Sequence, residues 1–380
     1  MIPRTIFEPD HEMYRDSVRR FLEAEAVPHH DRWEKAGQVD REFWHKAGEV
    51  GLLCPTMPEE YGGAGADFLY SVVVWEELAA LGISGPCLPL HSDIVIPYII
   101  RNGTEEQKQK YLPRCVTGEI VTAIAMTEPS AGSDLMGVKT QAVRVGDHYV
   151  MNGSKTFISN GQIAELFIIV CKTDPDAGAK SISLFLVEAD SPGFSRGANL
   201  EKMGLKAQDT SELFFQDVSV PKENLLGGEG NGFKLLMQEL AQERLYVAVT
   251  ALTSAEAALE ETVRYTKERH AFGRAIATFQ NTQFKLAAMA AKISATRVFV
   301  DKCIELHLEG GLDAVTAAKA KLLCTELQGE VMDECVQLYG GYGYMWEYPV
   351  ARAYADARVS RIVGGTNEIM KLIIGRALLD

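Results

Sequence analysis

The sequence has no uninterrupted apolar run of the ~18 residues that a membrane-spanning helix needs, so no membrane span is expected. It has no Cys-x-x-Cys pair and no His-Glu-x-x-His, and a metal site is therefore not expected. The seven cysteines (Cys54, Cys87, Cys115, Cys171, Cys303, Cys324 and Cys335) are odd in number and scattered, which reads as reduced interior thiols. Basic residues are scarce beside acidic ones, 38 against 52, giving a net charge of −14. That average repels a phosphate backbone and argues against a nucleic-acid partner. Gly-x-Gly-x-x-Gly and the P-loop pattern are absent, and Gly228-Glu229-Gly230-Asn231-Gly232 has the wrong spacing, which disfavours a Rossmann domain. Met1 to Asp16 mixes Arg4, Glu8, Asp10, His11 and Glu12, the pattern of neither a secretory signal nor an Arg-rich transit peptide, so a cytoplasmic location is expected.

What is present is a globular composition, 47% hydrophobic and 24% charged, over 380 residues. That length suggests two or three packing units. Three textures follow one another. Residues 1–117 read as helix, with apolar residues at three- and four-residue spacing in Glu12–Ala26, Arg41–Val50 and Tyr70–Leu81, and Thr104 as a helix cap. Residues 118–235 read as short strands rich in β-branched and aromatic residues, such as Val121–Met126, Lys139–Val145, His148–Ile158, Leu166–Cys171, Ile182–Val187 and Leu213–Val218. Gly146-Asp147 fits a two-residue hairpin turn. Strands this close together, without helices between them, predict an antiparallel β domain. Residues 236–380 return to helix. Leu235–Lys267, Thr282–Leu308, Asp313–Leu338 and Thr366–Leu379 predict a four-helix bundle, with Asp313 and Thr366 as caps and Gly340-Gly341 as a stop. The fold class is thus α+β, mainly α.

Within the bundle one residue breaks the pattern. Leu236, Leu240, Val247, Ala251 and Ala258 mark one helix face, and Glu243 falls among them. A carboxylate there is costly unless it is paired or performs chemistry. Periodicity leaves both readings open: a salt bridge to Arg244 or to another helix, or a base strengthened by desolvation. Several loops could hold a ligand or could be plain turns. Thr127-Glu128-Pro129-Ser130-Ala131-Gly132-Ser133-Asp134 is dense in hydroxyls and turn formers. Phe157-Ile158-Ser159 ends a strand with an aromatic placed to cover a flat ligand. Arg269 follows the long helix and could bind phosphate or complement the helix end. Gln337 to Tyr344 pairs an amide with a Gly-rich helix end.

Taken together and in this order, these segments resemble the acyl-CoA dehydrogenase family over essentially the whole chain, about residues 5–378. Thr127 to Asp134 is similar to its signature Thr-Glu-Pro-x-Ala-Gly-Ser-Asp, and Gln337 to Gly341 and Gly365 to Glu368 to its second region. Glu239 to Leu245, Tyr344 to Tyr348 and Gly364 to Met370 resemble the long-chain branch especially. The resemblance implies an N-terminal helical domain, a middle β domain, a C-terminal bundle, and FAD. It implies flavin contacts at Ile124, Met126, Thr127, Ser133, Phe157, Ser159, Thr366 and Glu368. Arg269, Phe272, Gln337 and Gly341 would reach the FAD of a neighbouring subunit, which implies a homotetramer built as a dimer of dimers, and Phe279 and Gln280 would be further FAD contacts. Phe157 stands where relatives more often carry Trp. Ser133, Arg244, Gly364 and Gly365 would contact the acyl-CoA thioester. Many members place the catalytic Glu at the position of Gly364, whereas Glu243 matches the position that the long-chain and isovaleryl branches use. The implied reaction removes the α-proton at Glu243 and yields a trans-2-enoyl-CoA, with electrons passing to an electron-transfer flavoprotein. An O2-reactive oxidase or monooxygenase of the same superfamily, or a non-catalytic flavin-binding assembly protein, are the alternatives.

Overall fold

The computed structural model describes residues 2–379, so Met1 and Asp380, the outermost residues of the first and third expected regions, lie outside it. The N-terminal region is helical: α1 (Pro9–Glu25), α2 (His30–Ala36), α3 (Arg41–Glu49), α4 (Phe68–Ala80), α5 (Ile96–Asn102) and α6 (Glu105–Val116). Thr104 caps α6 in a capping box with Gln107. The chain from Leu90 to Val95 winds as a π-helix that leads into α5. Such wide turns occur often at functional sites.

The middle region is one eight-stranded sheet: β1 (Thr122–Ala125), β2 (Gln141–Val145), β3 (His148–Ser159), β4 (Leu166–Lys172), β5 (Ile182–Glu188), β6 (Phe194–Asn199), β7 (Thr210–Pro221) and β8 (Leu225–Leu226). Val145 pairs with His148 across the expected Gly146-Asp147 turn. The sheet is not wholly antiparallel, because β1 pairs with β4 in parallel and β2 meets β4 in parallel at its end. Successive β4 residues face opposite ways. Phe167, Ile169 and Cys171 join a core within the β region, while Leu166, Ile168 and Val170 join the helical core. A strand buried on both faces joins the sheet to the helices.

The C-terminal region opens with α7 (Gly232–Glu268), followed by a small ribbon of β9 (His270–Ala271) and β10 (Arg274–Ala275). Then come α8 (Gln280–Leu308), α9 (Ala314–Tyr339), α10 (Pro349–Ala357) and α11 (Asn367–Leu379). Asp313 caps α9 as expected, accepting from the N–H groups of Val315 and Thr316. Beyond the four long helices that periodicity marks, α10 is an additional short one. α7 packs against α9, α8 and α4, and between Gln242 and Ala255 it is buried on nearly every face. Residues on its far sides thus meet the N-terminal helices, which a one-face amphipathic reading does not anticipate.

Candidate active site

Glu243 sits in the first third of α7 with 8% of its surface exposed. Neither salt bridge open to it forms among the described residues. Instead the Tyr98 hydroxyl, from α5, donates to its carboxylate at 3.1 Å. Burial pushes the Glu243 carboxyl up to about 7; the Tyr98 bond opposes that rise, the charge of Glu239 adds to it, and Arg244 opposes it. Burial, and then the nearby Glu243 charge, hold the Tyr98 hydroxyl well above its usual range, so it stays a donor.

The π-helical segment sets Tyr98 in place. Its Asp93 is buried and accepts from Ser71 Oγ at 2.6 Å and Trp75 Nε1 at 2.7 Å. Its backbone carbonyl accepts from Gln242 Nε2, the neighbour of Glu243. One turn back on α7, Glu239 is buried and ion-paired to Arg101 at the end of α5. Just before the base candidate, these contacts tie α7 to the π-helical segment and to α5. Tyr98, Asp93 and Arg101 carry no sequence signal of a site, since Ile94 to Ile100 reads as an apolar run.

The turn at Gly364 lies beside the same stretch of α7. A β-carbon on Gly364 would stand 3.5 Å from Val247 Cγ2, one helical turn beyond Glu243. Both Gly364 (φ 64°) and Gly365 (φ 86°) adopt left-handed backbone, which glycine favours. Thr366 caps α11, accepting from Ile369 N–H, and Glu368 is exposed in its first turn. Arg244 is buried and makes no ion pair among the described residues, and its Nε has no partner.

A second group gathers at the ends of β1 and β3. Ile124 lies in β1, and Met126 and Thr127 follow it; Thr156 N–H donates to the Thr127 carbonyl at 3.0 Å. Buried Lys155 donates to the Met126 carbonyl at 3.0 Å and to Glu128 at 2.8 Å. The register between β3 and β7 slips between Lys155 and Ile158, a bulge that places Phe157 at φ 59°. The residue is left 67% exposed. A left-handed, solvent-facing aromatic costs on the order of 1–3 kcal/mol in backbone strain alone, a cost found mostly at functional sites. Ser159 is half-buried behind it, and Ser133 lies exposed on the loop.

A third group sits at the far end of α7. Arg269, Gln337 and Gly341 line one cavity of about 480 Å³ together with Ile276 and Tyr342. The Arg269 guanidinium lies 5.3 Å from the Tyr342 ring centre. Phe272, at φ 52° in the β9–β10 turn, is 96% exposed and meets the Phe279 ring edge-on; Gln280 begins α8. At 1.5 Å per residue, Arg269 stands about 39 Å along α7 from Glu243. The structure therefore does not bring this group to the same ligand as Glu243 within one chain. Chemically, Phe157 can cover a flat conjugated ring. Arg269, Gln337 and the glycine backbone can take phosphate and amide-like edges. Glu243 can accept a proton in a dry setting.

Three family models match the chain: acyl-CoA dehydrogenase N-terminal domain over residues 8–119, middle domain over 123–218, and C-terminal domain over 230–379. The long-chain specific acyl-CoA dehydrogenase of Mus musculus mitochondria is 52% identical over 379 residues, covering 99% of this chain and 88% of that one. An acyl-CoA dehydrogenase structure from Geobacillus kaustophilus superposes with a TM-score of 0.98 at 54% identity, covering 99% of this chain and 100% of that one. An acyl-CoA dehydrogenase from Bacillus anthracis, complexed with FAD, superposes with a TM-score of 0.91 at 36% identity, covering 98% of this chain and 68% of that one.

Proposed function

Because the chain belongs to the acyl-CoA dehydrogenase family, we propose that Glu243 is the base of its reaction and that its substrates are long-chain or branched acyl-CoA thioesters of fatty-acid β-oxidation. The protein is an oxidoreductase that dehydrogenates acyl-CoA with FAD. The residues present fit a flavin nucleotide: the bulged, exposed Phe157 suits its ring, with Met126, Thr127 and Ser159 alongside, and the Thr366 cap at the N-terminus of α11 suits its diphosphate region. Bound there, the flavin supplies the two-electron acceptor for the hydride leaving the β-carbon.

The rest falls to the protein's own side chains. The observation that carries the assignment of Glu243 is a buried carboxylate held by one neutral donor and no cation. At pKa about 7 it is partly ionised at neutral pH, yet basic enough to take a weakly acidic α-proton. Low solvent exposure keeps water from competing for that proton. The turn Gly364–Thr366 supports the carbonyl side, since none of its three backbone N–H groups has a partner among the described residues. Free N–H groups can stabilise the enolate oxygen as charge develops.

A cavity of about 680 Å³ runs from Val247 and Val363 along α7 through Ala251, Ser254 and Ala258 to Arg264. That stretch of helix is about 25 Å long. Small side chains on α7 leave room for a long or branched tail. Ser254→Phe is expected to cut kcat/KM for C16 acyl-CoA about tenfold or more while leaving C4 and C6 substrates close to wild type, the scale on which a pocket discriminates by size. Equal losses at all lengths would remove the cavity from the substrate path.

Tyr98→Phe removes the bond that favours the Glu243 carboxylate. The carboxyl pKa should rise further, and the acid limb of the kcat/KM profile, which climbs as Glu243 ionises, should move to higher pH. An unmoved limb would detach Tyr98 from the base.

The distance of about 39 Å between Glu243 and Arg269 supports a shared cofactor in a homotetramer, with Arg269, Phe272, Phe279, Gln280, Gln337 and Gly341 serving the FAD of a neighbouring subunit. An electron-transfer flavoprotein is the proposed acceptor. Anaerobic titration with straight and branched acyl-CoAs from C4 to C18 tests the function: long and branched members should bleach the flavin, and a flavin left yellow by all of them overturns the reading.

A further inference from the structure

A buried cation sits behind the Gly364–Thr366 turn, a second lies close enough to feel its charge, and neither forms an ion pair among the described residues. Lys321, on α9, is fully buried. It donates to the Gly365 carbonyl at 2.9 Å and to Asn367 Oδ1 at 2.8 Å, and it makes no ion pair among the described residues. Arg244, on α7, is buried with its Nε unpartnered. Burial first, and the charge of Arg244 second, push the lysine down to about 8. The two cations therefore feel one another. The carboxylates of Glu368 and Glu326 offset only part of the fall at Lys321, and Glu243 is the carboxylate that acts on Arg244; two buried cations without a direct ion pair favour further negative charge beside them.

The bond to the Gly365 carbonyl has a geometric consequence. In a trans peptide the C=O and the following N–H point in opposite directions. Holding the Gly365 carbonyl toward Lys321 turns the Thr366 N–H away from α9, on a turn whose three N–H groups are all free. Glycine at 364 and 365 leaves that turn little intrinsic rigidity, so an outside anchor decides its orientation. Asn367 is held in turn by Thr325 Oγ1 and Glu326, on the same helix as Lys321.

We propose that Lys321 is a positioning residue: by gripping the Gly365 carbonyl it aims the free N–H groups of the Gly364–Thr366 turn at the thioester oxygen, and with Arg244 it supplies the positive field that the enolate requires. This rests on the reading of that turn as the carbonyl-binding element. Asn367 is then the second anchor and the field is aimed through the peptide, not through a direct bond to substrate. Orienting residues of this kind typically change rates by about 10- to 100-fold.

The test uses the FAD-loaded oligomer and a carbonyl-labelled acyl-CoA. In a Glu243→Gln background, where substrate binds without turnover, the C=O stretch of the bound thioester is read by difference infrared spectroscopy. The parent should lower that frequency relative to free thioester. Lys321→Met should return it toward the free value. In the wild-type background the same change should reduce kcat about 10- to 100-fold with KM little altered. Lys321→Gln, which keeps one donor without charge, should recover part of the frequency shift, and it carries the test if Lys321→Met does not assemble with flavin. A full frequency shift and full kcat in either flavin-loaded variant overturn the proposal. If the parent itself shows no frequency shift, the turn does not bind the carbonyl, and it is the underlying reading that falls.

Discussion

Glu243→Gln should keep its flavin and lose more than about 10³-fold in turnover, the scale of a lost general base. The substitution preserves volume and can still accept from Tyr98, so packing in α7 is little disturbed. It removes only the capacity to hold a proton. Stopped-flow flavin reduction measures the loss directly, and full activity in the variant refutes the assignment. A second arm locates the reaction centre. Glu243→Gln with Gly364→Glu should regain part of the lost rate, because a side chain at 364 starts 3.5 Å from Val247, on the same stretch of α7 that presents Glu243. Recovery should be incomplete, since φ 64° is strained for any residue with a β-carbon. The pH dependence has a fixed sign. Burial raises the Glu243 carboxyl to about 7, so activity should climb as pH rises through that value and level off above it.

Lys155→Met should destabilise the protein by about 3–5 kcal/mol, the scale for breaking a buried ion pair by removing one partner. Lys155 is fully buried and joins Glu128 at 2.8 Å, while Glu128 also accepts from Lys139 N–H at 2.6 Å and Thr140 N–H at 3.0 Å. The same lysine holds the Met126 carbonyl. Without it, a carboxylate and a carbonyl are left in the interior with too few donors. The Met126–Thr127 backbone then keeps only the Thr156 N–H bond as its anchor to β3, beside Phe157. The expected result is a lower unfolding midpoint and less flavin retained per chain after gel filtration. Adding Glu128→Gln should restore part of the stability by removing the stranded charge. A midpoint and flavin content equal to wild type would show that the pair contributes nothing to the loop.

The difference between what was legible and what was not follows physical lines. Thr104, Asp313 and Gly146-Asp147 behave as read, because caps and tight turns are settled by neighbours a few residues away. Glu243 stood out because a carboxylate on an apolar face violates a local rule. A salt bridge to Arg244 does not form, because Arg244 follows it directly and on a helix adjacent side chains diverge by about 100°. The parallel pairing of β1 with β4 was missed, since strand texture does not encode the direction of a partner more than 40 residues on.

Tyr98 and Lys321 mark the boundary. Tyr98 is 145 residues from Glu243, and Lys321 is 44 from the carbonyl it holds. Neither spacing is a motif. By itself the sequence determined the three-region order, the ordered loop motifs and the presence of one acid on an apolar helix face, because each depends on short-range periodicity and turn chemistry. Only the tertiary structure decided that this acid meets a phenol and no cation, that the glycine turn keeps its N–H groups free, and that Arg269 belongs to a distant group, because each depends on which helices pack together, and packing is set by burial over the whole chain.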